Sequence, residues 1–292
     1  MPPFSDRYWN SPDGLKLHYR DYDGPRDRPP ILCIPGLTRN ARDFEPLAER
    51  FAGEWRVIAV DLRGRGLSAY DPNSGNYMPP VYAADLLKLL DQLGIADAVF
   101  VGTSLGGIVT MIMAMHDAER MAGVLLNDIG PEIDRPGIDR IASYVGKSAD
   151  HASFDALVRD YAARNRDIYP GYDPAQWERL VRRMASDQDG SVRFDYDTRI
   201  ADVFHATAET EQADIWPFYR ALAGRPVTIL RGEYSDLFSA DIAERMASMI
   251  PDVELVTVPD VGHAPALDEP ESLAAIERLL ARVMARPNAS DV

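Results

Sequence analysis

The 292-residue chain has a single cysteine, Cys33, so no internal disulfide can form and a disulfide-stapled scaffold is excluded. Cys33 stands in the apolar run Ile31-Leu32-Cys33-Ile34, where a lone thiol reads as a small buried hydrophobe, and a reducing environment is expected. No apolar stretch approaches the roughly 18 to 20 residues that a bilayer requires. Positive charge is scarce: 31 Lys and Arg against 46 Asp and Glu leave a formal net charge of −15, which repels phosphate backbones and anionic membrane surfaces. Neither nucleic acid nor membrane is expected as a partner; a small molecule is. The opening residues, Met1-Pro2-Pro3-Phe4-Ser5-Asp6-Arg7, show neither a basic n-region nor an apolar h-region, and a cytoplasmic location is expected.

Cofactor and metal patterns are missing as well. There is no His-Glu-x-x-His, no paired cysteine and no EF-hand spacing, so neither zinc nor calcium is indicated. Gly146-Lys147-Ser148 imitates the end of a phosphate-binding loop, but the position five before Gly146 is Ile141 and no apolar strand precedes it. Neither Gly64-x-Gly66 nor Gly102-x-x-x-Gly106 completes a dinucleotide fingerprint. Asn288-Ala289-Ser290 is a glycosylation sequon without a secretory signal and carries no weight. The chemistry is expected to need no cofactor.

What is present is ordinary globular material, 46% apolar and 26% charged, with enough apolar residues for a buried core. After a hairpin pattern over 7–11 and 15–21, turned by Pro12-Asp13-Gly14, short apolar runs at 31–34, 55–60, 98–101, 123–126, 226–230 and 253–258 alternate with helix-period segments. Those segments are 44–51, 82–93, 105–115, 242–250 and 272–284. Continuously apolar strands separated by helices imply a mostly parallel sheet buried on both faces, an α/β fold. The alternation breaks once, where Tyr, Trp, Arg and Asp accumulate in helical patterns. The expected organisation is a core of 1–133 and 223–292 interrupted by a helical cap at 134–222.

The most informative segment is Ala98-Val99-Phe100-Val101-Gly102-Thr103-Ser104-Leu105-Gly106-Gly107, a strand running through Gly-x-Ser-x-Gly into an apolar helix. So sharp a turn presses backbone on backbone, which is why the positions two before and two after the serine must lack side chains. Ser104 is left at the tip, with the positive end of the following helix aimed at the same spot. A hydroxyl is a weak nucleophile until a base takes its proton, so the motif predicts a histidine. Of the five histidines, His263 sits in a loop immediately after a core strand, where a parallel sheet places functional groups. His116 falls near a helix C-terminus, which accounts for it without catalysis.

With these motifs the chain resembles the α/β-hydrolase superfamily over nearly its whole length. The resemblance rests on Ile34-Pro35-Gly36-Leu37, Asp61-Leu62-Arg63-Gly64-Arg65-Gly66-Leu67-Ser68, the serine turn, Arg231-Gly232-Glu233-Tyr234-Ser235-Asp236 and Asp260-Val261-Gly262-His263-Ala264-Pro265. It implies Ser104 as nucleophile and His263 as base, in the chain order Ser, Asp, His. It also implies an oxyanion hole from the amides of Leu37 and Leu105. Pro35 stands where the family often has histidine, which costs no donor but leaves the bracing of that loop open. For the carboxylate that orients the imidazole, Asp236 is preferred and Asp128, after an earlier strand, is the alternative. Relatives that open epoxides or remove halide carry aspartate at the position of Ser104, so acyl transfer is the expected reaction.

An apolar acyl pocket is expected from Trp216 and His205 in the insertion and from Leu237 and Phe238 beside Asp236, with Trp177, Phe218 and Tyr219 as further candidates. Arg39 and Asn40 could meet a polar or carboxylate end of a substrate, and Asn40 also fits a helix cap. Three functions remain open: hydrolysis of a carboxylic ester or lactone of a small, partly apolar metabolite; C–C bond hydrolysis of aromatic ring-cleavage products, favoured by a cap arginine facing Ser104; and a non-catalytic receptor on the same scaffold. The oligomeric state is not legible.

Overall fold

In a computed structural model, residues 2–147, 149–208 and 213–286 are described; the sequon at 288–290, the rest of the tail and Ser148 lie outside them. Ten strands, β1 (Phe4–Asn10), β2 (Lys16–Tyr22), β3 (Ile31–Ile34), β4 (Val57–Asp61), β5 (Ala98–Thr103), β6 (Met121–Asn127), β7 (Ala185–Gln188), β8 (Ser191–Phe194), β9 (Val227–Gly232) and β10 (Val253–Val258), form two sheets among the described residues. The large one has the order β1-β2-β4-β3-β5-β6-β9-β10. β1 and β2 pair antiparallel with each other, and β2 pairs antiparallel with β4, while every junction from β4 to β10 is parallel.

Ten helices accompany the strands among the described residues: α1 (Glu45–Phe51), α2 (Pro79–Leu93), α3 (Leu105–His116), α4 (Arg135–Tyr144), α5 (Phe154–Asn165), α6 (Pro174–Met184), α7 (Ile200–Ala208), α8 (Trp216–Arg220), α9 (Ala240–Met249) and α10 (Pro270–Met284). The period of two along each strand divides the core in two. Leu32, Ile34, Ile58, Val60 and Phe100 point to one face, where they meet α2, α3 and α9. Ile31, Cys33, Val57, Ala59, Val99 and Val101 point to the other, under α1 and α10. Cys33 is fully buried, as its apolar neighbours require. The fold is that of an α/β hydrolase: a mostly parallel central sheet flanked by helices.

Between β6 and β9 the chain leaves the sheet for α4 to α8 and the hairpin β7–β8. This excursion lies against loops at the C-terminal ends of the strands: Gly66 N–H donates to the Asp195 carbonyl, Tyr169 O–H to that of Ala264 and Gly262 N–H to that of Ile168. The purely helical insertion expected from sequence is corrected by β7–β8. Its turn is Asp189-Gly190, both at positive φ (58° and 82°), the two-residue geometry that matches strand twist. Among the described residues, no helix is long and apolar enough to cross a membrane.

Candidate active site

The C-terminal ends of the parallel strands converge on one serine. Ser104 follows β5 directly, with φ 51° and ψ −118°, a region non-glycine residues rarely occupy. A Cβ on Gly102 would come within 2.6 Å of the Gly106 backbone, and one on Gly106 would overlap the carbonyl oxygen of Ile34. Both glycines are thus required by close approach of backbone, and α3 starts immediately at Leu105.

His263, in the loop after β10, reaches Ser104 with Nε2 2.9 Å from Oγ. Its Nδ1 lies 2.8 Å from Oδ2 of Asp128. The sequence preference for Asp236 at this position is therefore overturned. Asp128 follows β6, is fully buried, and sits at φ 56°, which turns its carboxylate toward the loop after β9. There Oδ1 accepts from Gly232 N–H at 2.8 Å, and Oδ2 from the Ser235 hydroxyl at 2.6 Å. Asp236 instead takes both oxygens to Arg140 of α4, from Nε at 2.6 Å and Nη2 at 2.8 Å. Burial alone would raise the Asp236 pKa, but the hydrogen bond and charge of Arg140, helped by His263, hold it below its ordinary value.

The loop after β3 stands alongside. A Cβ on Gly36 would touch Cβ of Ser104 at 3.7 Å and Cγ of Arg39 at 3.6 Å, so Arg39 rises beside the serine. The bracing that Pro35 left open comes from Arg65, which is buried and donates from Nε to the Leu37 carbonyl at 2.9 Å. Asn40 accepts from Arg42 N–H at 3.0 Å and caps the short helical turn that follows, and it is not part of the wall of the cavity on Ser104. Leu105 opens α3, where first-turn amides have no carbonyl four residues back.

A cavity of about 250 Å³ opens onto Ser104 and His263. Its wall is not the one expected: Trp216, His205, Leu237 and Phe238 are all absent from it. Trp216 is buried, with its indole N–H on Glu132 at 2.6 Å and Arg245 over its ring. Leu237 packs against Gly137, and Phe238 against Gly130, where a Cβ would come within 2.5 Å and 2.7 Å of them. His205 is on an exposed face of α7. Trp177 and Tyr219 are buried in the two apolar clusters, where Phe218 packs against one of them, and none of the three lines the cavity. The wall is built from Arg39, Arg140, Tyr144, Tyr161, Tyr169 and Tyr196, with others. A signal exists for part of this: Arg140 and Tyr144 are four apart on α4, as Tyr161 and Asn165 are on α5, so each pair shares a helix face. Among the described residues no cluster of His, Cys, Asp and Glu could hold a metal ion.

Comparison with known proteins agrees with this architecture. A model of the Alpha/beta hydrolase family matches residues 31–276, and the chain belongs to that family. It is 30% identical over 273 residues to a 3-hydroxybutyrate-oligomer hydrolase of Cupriavidus necator, covering 90% of this chain and 92% of the relative. It is 31% identical over 236 residues to a 2-(acetamidomethylene)succinate hydrolase of Mesorhizobium japonicum, covering 80% and 81%. Among solved structures, an alpha/beta hydrolase from Novosphingobium aromaticivorans superimposes with a TM-score of 0.93 at 50% identity, covering 97% of this chain and 99% of that one.

Proposed function

We propose that this chain is a serine hydrolase that cleaves a carboxylic ester or lactone of a small, partly apolar metabolite through an acyl-enzyme. The observation that carries the reading is the relay from Ser104 Oγ to His263 Nε2 at 2.9 Å and from His263 Nδ1 to Asp128 at 2.8 Å. In it Ser104 Oγ attacks the acyl carbon while its proton passes to Nε2. Asp128 accepts the Nδ1–H bond and stabilises the imidazolium. The oxyanion is met by the amides of Leu37 and Leu105, and collapse expels the alcohol, which takes the proton from Nε2. Water then repeats the sequence on the acyl-enzyme, so that one ester and one water give one acid and one alcohol.

The excursion between β6 and β9 acts as a cap that sets substrate size, and the relative named as a 3-hydroxybutyrate-oligomer hydrolase, an oligomer of a hydroxy acid being joined by ester bonds, supports the ester reading. One observation favours C–C bond hydrolysis as a second reading: Arg140, a cap arginine, lines the cavity on Ser104. Fluorophosphonate labelling followed by peptide identification tests the first reading: modification is expected at Ser104 and must disappear in Ser104→Ala. Labelling elsewhere refutes it. Turnover of a ring-cleavage dienoate without hydrolysis of p-nitrophenyl acetate or butyrate would select the second.

A further inference from the structure

The chain carries a formal charge of −15, yet the cavity beside Ser104 has the opposite balance. Arg39, Arg140, Lys147, Arg164 and Arg183 line it. Among the described residues only two carboxylates join them, Asp43 and Asp160. Three of the five are ion-paired, Arg39 with Asp43, Arg140 with Asp236 and Arg164 with Asp160, which leaves Lys147 and Arg183 as the excess, and a cleft of net positive charge in an acidic protein points to an anion as ligand.

Two of these arginines are fixed in the same way. Asp43 grips Arg39 through Nε at 2.7 Å and Nη2 at 2.6 Å. Asp236 grips Arg140 through the same two nitrogens. In both pairs the carboxylate takes Nε and Nη2 and leaves Nη1, and the Tyr161 phenol stands against the Arg39 guanidinium. Arg39 rises beside Ser104 at Gly36, and Arg140 belongs to α4, which is pinned to the loop after β9 by Gly137 N–H on the Asp236 carbonyl at 2.9 Å. Tyr161 and Tyr169 line the same wall within range of both guanidiniums, and burial pushes both phenols above their ordinary value, so they remain neutral hydroxyls.

Resting on the serine-hydrolase reading, we propose that the substrate is an acyl compound bearing a free carboxylate, held between Arg39 and Arg140 while its ester carbonyl faces Ser104. Asp236 serves as a positioning residue for Arg140. These arginines and phenols share the wall with Phe44, Ile141, Leu180, Met184 and Phe194, so a partly apolar acyl compound with an anionic end fits it, while Trp216, Leu237 and Phe238 take no part.

The test compares p-nitrophenyl hemisuccinate and hemiglutarate with p-nitrophenyl butyrate and valerate, which match them in acyl carbon number without the charge. The wild-type ratio of kcat/KM, anionic over neutral, is expected to be tenfold or more. Arg140→Gln and Arg39→Gln should each lower that ratio by about 10- to 100-fold, the range for losing a charge-assisted hydrogen bond. A second arm needs no turnover: in Ser104→Ala, calorimetric binding of monomethyl glutarate should exceed that of methyl butyrate and weaken tenfold or more when Arg140→Gln is added. A wild type that prefers butyrate, or variants that keep the wild-type ratio, overturns the proposal. If Ser104 neither labels nor turns over any ester, the hydrolase reading fails, and the calorimetric arm still decides the anion site.

Discussion

Replacing Asp128 by asparagine separates the two carboxylates near His263, and the geometry dictates how. Oδ1 of Asp128 accepts from the backbone N–H of Gly232, a donor that cannot reverse. The amide oxygen of the introduced asparagine must therefore keep that place, which puts its NH2 where Oδ2 now meets Ser235 and His263. The Ser235 hydroxyl can turn to accept; the imidazole can accept only by giving up its Nδ1 proton and carrying one on Nε2 instead. That proton faces Ser104 Oγ, so the base is lost although every hydrogen bond around position 128 is kept. Wrong-tautomer variants of this kind lose about 10⁴ in kcat, or about 5 kcal/mol of barrier. Stopped-flow or steady-state hydrolysis of p-nitrophenyl acetate reads the loss, with the thermal midpoint confirming the fold. Asp236→Asn, which disturbs only the grip on Arg140, should cost turnover of this neutral ester at most about tenfold. The reverse order, with Asp236→Asn losing about 10⁴ and Asp128→Asn retaining activity, would refute the assignment of Asp128.

Ser104→Ala or His263→Ala should lower kcat by on the order of 10⁴ to 10⁶ with the denaturation midpoint unchanged, and retained turnover in both would exclude the mechanism. Gly106→Ala forces a methyl into the Ile34 carbonyl and should destabilise the chain by more than about 3 kcal/mol in urea titration; a midpoint like wild type would mean that the crowding at this turn is relieved. Asp61 accepts from His18 Nδ1 at 2.7 Å, Ala41 N–H at 2.6 Å and Leu67 N–H at 2.9 Å, so Asp61→Ala strands buried donors and should cost about 3 to 5 kcal/mol, read the same way. Hydrogen bonds from Arg63 and Ser11 lower the Asp13 pKa from 3.8 to about 2. A lowered acid stabilises in its ionised form, so its contribution is present above pH 3.8 and fades as pH falls toward 2. Asp13→Asn should lower the midpoint at pH 5 to 7 and converge with wild type near pH 2; parallel curves would contradict this.

The fold is legible in the sequence because its determinants are local. The four-residue run Ile31–Ile34 and its counterparts need only their own apolar side chains to become central strands, and the predicted runs match β3, β9 and β10 within a residue or two at each end. The turn at Ser104 is legible for the same reason, since Gly102 and Gly106 are demanded by atoms within a few residues or one strand away. The hairpin β7–β8 escapes a sequence reading although Asp189-Gly190 announces it, because four-residue strands such as Ser191–Phe194 carry too few alternating positions to outweigh the helical patterns around them. The pocket wall is misread because large apolar side chains satisfy a core equally well: Trp216 and Phe238 are buried against α9 and Gly130, while the cavity goes to residues of α4, α5 and α6 and of the strand-end loops.

The carboxylate is the instructive error. Asp128 and Asp236 each follow a core strand, and nothing within a few residues of either distinguishes them. The choice is made by partners far along the chain: His263 lies 135 residues from Asp128, and Arg140 lies 96 residues from Asp236. Arg140 exists at that place because α4 docks on the loop after β9, through Gly137, whose missing side chain lets Leu237 approach. An arginine there neutralises Asp236 and ties it to the cavity wall, while the fully buried Asp128, held by Gly232 and Ser235, is left to face the imidazole. The two assignments are therefore coupled. If Arg140→Gln frees Asp236, the double variant Asp128→Asn/Arg140→Gln offers it a route to Nδ1, and recovery of neutral-ester turnover above that of Asp128→Asn alone would show that Arg140 is what keeps Asp236 from the histidine. No recovery would mean that the backbone after β9, rather than the ion pair, holds it away.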